Sequence, residues 1–491
     1  MDNNFILLVI AFYFALLMLI AYFTGKKNSG NETFFRANKQ APWYVVAIAM
    51  VGTSISGVTF ISVPGWVRQT DMTYLQMALG FFAGYCVIAY VLLPLYYRLN
   101  LTTIYGFLDQ RYGKHAYKTG AWFFLLSKIV GAAARLYLVA FILQKLVFES
   151  LGIPFSLTVA GIIGIIWLYS NKSGIKTIIW TDSLQTILFV TALILILVRI
   201  AQGLDFDLFG MVSAITESSH ARIFVFDDWT SRQHFVKQFF SGMFITIVMT
   251  GLDQDMMQKN LSIRNLKDAR KNVISYGFAF LPINLLFLSL GVLLLIFASS
   301  KGISLPEISD NILPYIVSEE LGGVTLAIFI IGVVAAAFSS ADSALTALTT
   351  SFCVDILGME SKDKEEQAQQ NIKTRKRVHI GMSVVFMTVI LLIEAIGSDS
   401  IIDAIYRLAS YTYGPLLGLY ACGLYTRLKP TDRYIPYIAV AAPLLCFALE
   451  NILLQMNYKM GYELLLINGA ITAFGLWLLS LSSKSKSQAT I

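Results

Sequence analysis

The chain has 491 residues, is 56% hydrophobic and only 14% charged, and has a mean hydropathy of +0.67. Soluble chains carry about 25% charge, and apolar runs of about 20 residues recur along the whole length, so the composition excludes a soluble globular protein and reads as a polytopic helical membrane protein. The net charge of +7 does not point to nucleic acid, because the basic residues lie between apolar segments rather than in one patch.

The first apolar run, 5–23, has no basic residues before it and no small-residue cleavage site after it, so it reads as an uncleaved span. Lys26, Lys27, Arg36 and Lys39 follow, which places that loop in the cytoplasm and the N-terminus outside. Further spans fall at 42–63, 73–97, 119–147, 155–171, 176–201, 237–256, 272–298, 323–357, 378–397, 402–427, 434–454 and 463–482, making about 13. Most of the 37 Lys and Arg then lie in loops assigned to the inside, and the tail with Lys484 and Lys486 is cytoplasmic.

The second span packs Gly52, Thr53, Ser54, Ser56, Gly57 and Thr59 together and ends at Pro64. Glycine and polar residues at mid-span predict a break, and a broken helix frees carbonyls that only a cavity or a site can accommodate. Secondary transporters hold coupling ions and solute at such breaks. The same content also fits a tightly packed small-residue helix.

The fourth span carries Lys128 and Arg135 on one face, around Gly131. Lys128 is placed to snorkel to the inner surface, whereas Arg135 lies too deep for that. Arg407, in the eleventh span, follows Asp403 by four residues and can pair with it. Each arginine is either a structural ion pair or a ligand for an anionic solute. Asp182 enters the sixth span near its cytoplasmic end as a buried carboxylate. The outer segment 202–236 reads as a short lid helix pair or a solvated connection, and the inner segment 361–376 as a charged linker or short helix.

In the ninth span, Ser339, Asp342, Ser343 and Thr346 share one helical face of an otherwise apolar rod. An ionisable residue at membrane depth marks a path for ions or substrate, and hydroxyls with a carboxylate are hard oxygen ligands for a small cation. Thr349, Thr350 and Ser351 fit hydroxyls that bond back to the carbonyl four residues earlier. The cysteines (Cys86, Cys353, Cys422, Cys446) lie inside apolar segments with no disulfide framework or metal spacing. The four histidines fall at segment ends or in loops, and no HExxH or Ser/His pair indicates an enzyme.

Spans two to six and seven to eleven form two sets of five. An odd number in each set makes the second run opposite to the first, the inverted-repeat plan of many secondary transporters. The expected organisation is a single transmembrane transporter domain over 1–491. It comprises a peripheral span (4–24), a first repeat (42–201), a second repeat (237–427) and two peripheral C-terminal spans (434–482).

The stretches 52–65, 178–185, 251–262, 335–347 and 414–425, in that order, resemble the sodium:solute symporter family over about 34–427. The resemblance implies an all-α, LeuT-like 5+5 inverted-repeat fold with one extra N-terminal and two extra C-terminal helices. It implies a sodium ion held by the carbonyls of Gly52, Ile55 and Ala336 and the hydroxyls of Ser339 and Ser340. A second sodium site, present in some members, maps to Asp182, Ser339, Asp342 and Ser343. Asp342 stands where the sialic acid branch has a serine, which either strengthens that site or makes it proton-sensitive.

Solute candidates by the resemblance are Ser54, Ser56, Thr59, Tyr74, Arg135, Thr246 and Arg407. The Gln and Arg of the sialic acid branch fall on Ala78 and Gly131, and the Asn and Tyr of the sugar branch on Thr246 and Met249, so the chain departs from both patterns. The implied function is sodium-coupled import of a small organic solute (sugar, acidic sugar or carboxylate) by alternating access. The alternatives are a proton-coupled transporter using Asp182 and Asp342, or a ligand sensor or channel of the same fold. The expected partners are the solute, sodium ions and membrane lipid, not nucleic acid. The expected working unit is a monomer in the inner membrane.

Overall fold

The computed structural model describes residues 3–25, 30–359, 365–396, 401–456, 460–461 and 463–488. Its long helices, in chain order, are α1 (Asn3–Thr24), the bent pair α2 (Trp43–Ser54) and α3 (Gly57–Thr70), α4 (Tyr74–Arg98), α5 (Lys114–Leu143), α6 (Phe155–Ser170) and α7 (Ile175–Gly203). A second bent pair, α8 (Phe235–Gly251) and α9 (Gln254–Leu261), precedes α10 (Leu266–Lys301), α11 (Gly322–Ile356), α12 (Glu365–Ile396), α13 (Ile401–Tyr425), α14 (Ile435–Gln455) and α15 (Leu464–Gln488). Among the described residues nine helices are long and apolar enough to cross a bilayer, and the two bent pairs bring the number to 11. The shorter α6 and the polar-interrupted α13 take the remaining two expected positions.

The core is built around α11. Every residue from Gly332 to Ser351 is buried, hydroxyls included. An alanine-rich stretch without glycine or proline between Val333 and Ser351 keeps this helix thin, so α7, α5, α2 and α3 all pack against it. Thr349 and Thr350 donate to the carbonyls of Leu345 and Thr346, at 2.8 and 2.9 Å, as their spacing predicts. Helices α4 and α8 approach closely because their contact is glycine: a Cβ on Gly84 would stand 2.7 Å from the Met243 carbonyl oxygen. At the periphery, Leu8, Phe12 and Phe23 of α1, Leu444 and Phe447 of α14, and Phe474 of α15 are exposed, an apolar surface that lipid rather than water solvates.

Both bent pairs break where the sequence supplies a cap. The α2–α3 axis turns by 59° at Ile55, which leaves helical backbone (φ −91°, ψ 92°), and the Ser56 hydroxyl accepts from the Thr59 amide to start α3. Helix α3 runs on through Pro64 to Thr70, beyond the stop expected there. The α8–α9 axis turns by 64° at Asp253, whose carboxylate accepts from the amides of Asp255 and Met256. The seventh span therefore does not end at 256; it bends and continues as a buried helix.

Several loop expectations are corrected. The charged inner segment is helical from Glu365 onward, as the first turns of α12. His379 therefore lies inside a helix, buried, with hydrogen bonds to Ser170 and Thr349. The outer segment holds one short helix, Leu208–Thr216, and then extended chain, with the Val225 amide donating to Gln76.

Candidate ion and solute site

The break at Ile55 faces α11. Carbonyls at a helix C-terminus lack intrahelical donors, and the Ser340 hydroxyl donates to the Thr53 carbonyl at 3.1 Å. Ser339 and Ser340 are both buried, and the Ser339 hydroxyl stands 3.5 Å from that of Thr53. Gly52 permits this approach: a Cβ there would collide with the Thr186 hydroxyl and come within 3.0 Å of Ser339 Oγ. The Thr53 carbonyl and the Ser339 and Ser340 hydroxyls thus meet between the break and α11, and the Ala336 carbonyl accepts from Ser340 at 3.4 Å. Hard, neutral oxygens of this kind suit sodium.

Deeper along α11 lies a charged cluster. Asp182, the eighth of 29 residues in α7 and so toward its first end as expected, is fully buried beside the break. Its Oδ2 accepts from the hydroxyls of Ser343 (2.9 Å) and Thr53 (3.1 Å) and from Lys259 Nζ at 2.5 Å. Lys259, in the buried α9, also donates to the Thr53 hydroxyl. Asp182 Oδ1 has no hydrogen-bond partner among the described residues. Asp342 has other partners: Tyr169 donates to its Oδ2 at 2.6 Å and the Ser343 amide to its Oδ1 at 2.5 Å. Thr346, last in the polar stripe, is buried with no partner for its hydroxyl among the described residues.

Above the break a cavity opens between α2–α3, α4, α5, α8 and α13. Its polar lining is Thr53, Ser54, Thr59, Tyr74, Tyr85, Ser127, Lys128, Arg135, Thr246, Thr250, Asp253 and Tyr413, with Phe81, Met249 and Phe280 among the apolar walls. The Ser54 hydroxyl contacts Tyr276, which bonds Tyr85 at 2.6 Å. Gly131 also lines the cavity, and a Cβ there would meet nothing within 4 Å. Arg135, one turn along, borders the cavity half-buried, and its guanidinium bonds no carboxylate or hydroxyl among the described residues.

Lys128 does not snorkel. It is buried and pairs with Asp255 at 2.7 Å and Asp253 at 3.3 Å, while Tyr413 donates to Asp253 at 2.5 Å. Arg407 turns away from the cavity lining. It pairs with the buried Glu450 of α14 at 2.7 Å, and the side chain of its expected partner, Asp403, lies outside the described residues. Ser56 is spent on capping α3 and does not line the cavity either.

The site residues that sequence reasoning missed are Lys259, Lys128 and Tyr413 in their pairing roles, with Thr53 and Tyr169. The available signal was Asp253: a capping residue before an eight-residue polar stretch announces a helix, not a loop.

The chain matches the sodium:solute symporter family model over residues 34–427. It is similar to a sodium/sialic acid symporter of Aliivibrio fischeri, with 25% identity over 84% of this chain and 82% of that protein. It is also similar to the human sodium/iodide cotransporter, at 23% identity over 84% of this chain and 65% of that protein. In fold it resembles a Na+-coupled sialic acid symporter solved in a substrate-bound outward-open state, with a TM-score of 0.83 at 20% identity over 98% of both chains. A nucleobase-cation-symport transporter shares the architecture more distantly, at a TM-score of 0.55 over 94% of this chain and 96% of that one. With a helical core bent twice beside a cluster of buried oxygens, and a family match over most of its length, the chain belongs to the sodium:solute symporter family.

Proposed function

We propose that this symporter couples inward sodium movement to the uptake of a small organic anion, a carboxylate or an acidic sugar. The observation that carries the reading is Arg135, a guanidinium bordering the cavity with no acid bonded to it among the described residues. Arginine recognises carboxylate through two parallel hydrogen bonds, and Ser54, Thr59 and Thr246 supply further polar contacts along the same walls. The names of relatives support the same class: sialic acid, iodide and monocarboxylate symporters carry anions. Gly131 supports a solute bound differently from that of the sialic acid branch, because it leaves open the space an arginine would fill.

Sodium enters the cleft of Gly52, Ile55, Ala336, Ser339 and Ser340, next to the break that also borders the cavity. An ion there fastens α2 to α11 and so favours the arrangement in which the solute walls are assembled. Each charge moved inward gains about 2.3 kcal/mol per 100 mV. We place the protein in the inner membrane as a monomer, with its N-terminus outside, its transport repeats over 42–201 and 237–427, and no enzymatic activity. The bias of Lys and Arg toward the inner loops supports that orientation.

The test is thermal stability of the purified protein against neutral sugars, acidic sugars, monocarboxylates and amino acids, in sodium and in choline. A native-state ligand raises apparent stability by mass action. An anion that stabilises only in sodium supports the reading. Equal shifts in choline sink sodium coupling, and a neutral solute as the sole hit sinks the anion assignment.

A further inference from the structure

The second sodium position that the family resemblance maps onto Asp182, Ser339, Asp342 and Ser343 does not fit this chain, because a side chain already supplies the cation. We propose that the Lys259 ammonium is a tethered cation that fills this position, so that the protein binds one mobile sodium rather than two. This rests on the sodium-coupled reading above.

The geometry is direct. Lys259 Nζ lies 2.5 Å from Asp182 Oδ2, the same oxygen that accepts the Ser343 hydroxyl, and it also contacts Thr53. Both Lys259 and Asp182 are fully buried, so no water screens the pair. A sodium ion sharing Asp182 Oδ2 would stand beside the ammonium and be repelled by it. Both oxygens of Asp342 already accept hydrogen bonds, from Tyr169 and from the Ser343 amide.

Charge balance agrees. Asp182 and the Lys259 ammonium form a buried one-to-one pair. A second sodium beside that pair would leave a surplus positive charge in an interior where uncompensated charge is costly.

The position of the tether supports a standing role. α9 is buried on all sides and locked at both ends, by the Asp253 cap and by Gln258, which donates to the Phe35 carbonyl and the Thr350 hydroxyl, each at 2.9 Å. The lysine is thus delivered by a fixed element and not by a mobile loop.

The experiment is equilibrium binding of radiolabelled sodium, with no solute, to purified full-length protein and its variants. Wild type is expected to bind one sodium, K259R one, and K259Q two. Wild type binding two ions overturns the tethered cation, as does K259Q binding the same number as wild type. Wild type binding none overturns the sodium-coupled reading instead, and the difference between K259Q and wild type still decides the role of Lys259. Should K259Q not purify as a monodisperse protein, the wild-type count decides alone: one ion supports the tether and two refute it.

Discussion

Gly52→Ala is the substitution in which packing and ion binding are most tightly joined. The new Cβ would collide with Thr186 Oγ1 and stand 3.0 Å from Ser339 Oγ and 3.3 Å from the Asp182 carbonyl oxygen. Thr186 is not free to swing, because its hydroxyl lies 2.7 Å from the Asp182 carbonyl and 2.9 Å from that of Ile48. Giving way costs about 1 kcal/mol of hydrogen bonding. Crowding a packed interior adds about 1–3 kcal/mol, and alanine returns about 1 kcal/mol through helix propensity. The expected net loss is about 1–3 kcal/mol in choline.

Displacing Ser339 also removes one of the five proposed sodium ligands, for which we expect a tenfold weaker affinity, about 1.4 kcal/mol. At a sodium concentration 100 times the wild-type Kd, stabilisation by the ion should fall from about 2.7 to about 1.4 kcal/mol. Thermal unfolding in a sodium titration, with choline holding ionic strength constant, reads both quantities. A lowered baseline with an unchanged sodium increment would refute the cleft as the ion site. An unchanged baseline would refute the packing argument itself.

Gly131→Ala should preserve uptake and leave stability equal or higher by up to about 1 kcal/mol, since the added methyl meets open space; Gly131→Phe should abolish solute-induced stabilisation at an unchanged melting temperature, and solute binding retained by that variant would place the solute elsewhere. Arg407→Ala should leave the half-saturation for solute and for sodium unaltered and cost about 1 kcal/mol of stability, the scale of a partly exposed pair; a raised solute KM would return Arg407 to the site. Lys128→Met should destabilise by about 3–5 kcal/mol, because it strands Asp253 and Asp255 in the interior. Adding Asp255→Asn should recover part of that loss, and a melting temperature no higher in the double variant would show that Asp255 is not balanced by Lys128.

The spans were legible because hydropathy over 20 residues is a strong local signal that lipid imposes on every crossing helix. The break at Ile55 was legible for a related reason: Gly52, Ser54, Ser56 and Gly57 are a poor run for a straight apolar helix, and one stretch contains them all. Partners across the fold were not. A local reading offers Arg407 only Asp403, at i−4, and cannot see that the guanidinium reaches Glu450, 43 residues later on another helix. Lys128 at the inner half of a span reads as a snorkelling residue until α9 places two aspartates beside it. The spacing that decided these cases is set by packing between helices, and no window of sequence contains it.

Helix α9 is where this matters most. Its eight residues, Gln254–Leu261, are polar enough to read as loop, and all of them are buried. The polarity is explained by what the helix meets. Asp255, with the capping Asp253, neutralises Lys128 at the wall of the solute cavity. Lys259, one turn further on, neutralises Asp182 beside the ion cleft. Two ion pairs of opposite polarity thus hang on one short rigid element at i and i+4. A rigid shift of the helix therefore displaces both pairs together. The 64° bend at Asp253 separates this element from α8, which lines the cavity with Thr246 and Thr250. Cavity wall, proposed tether and proposed sodium cleft therefore meet across a single bend, a mechanical link between solute and ion.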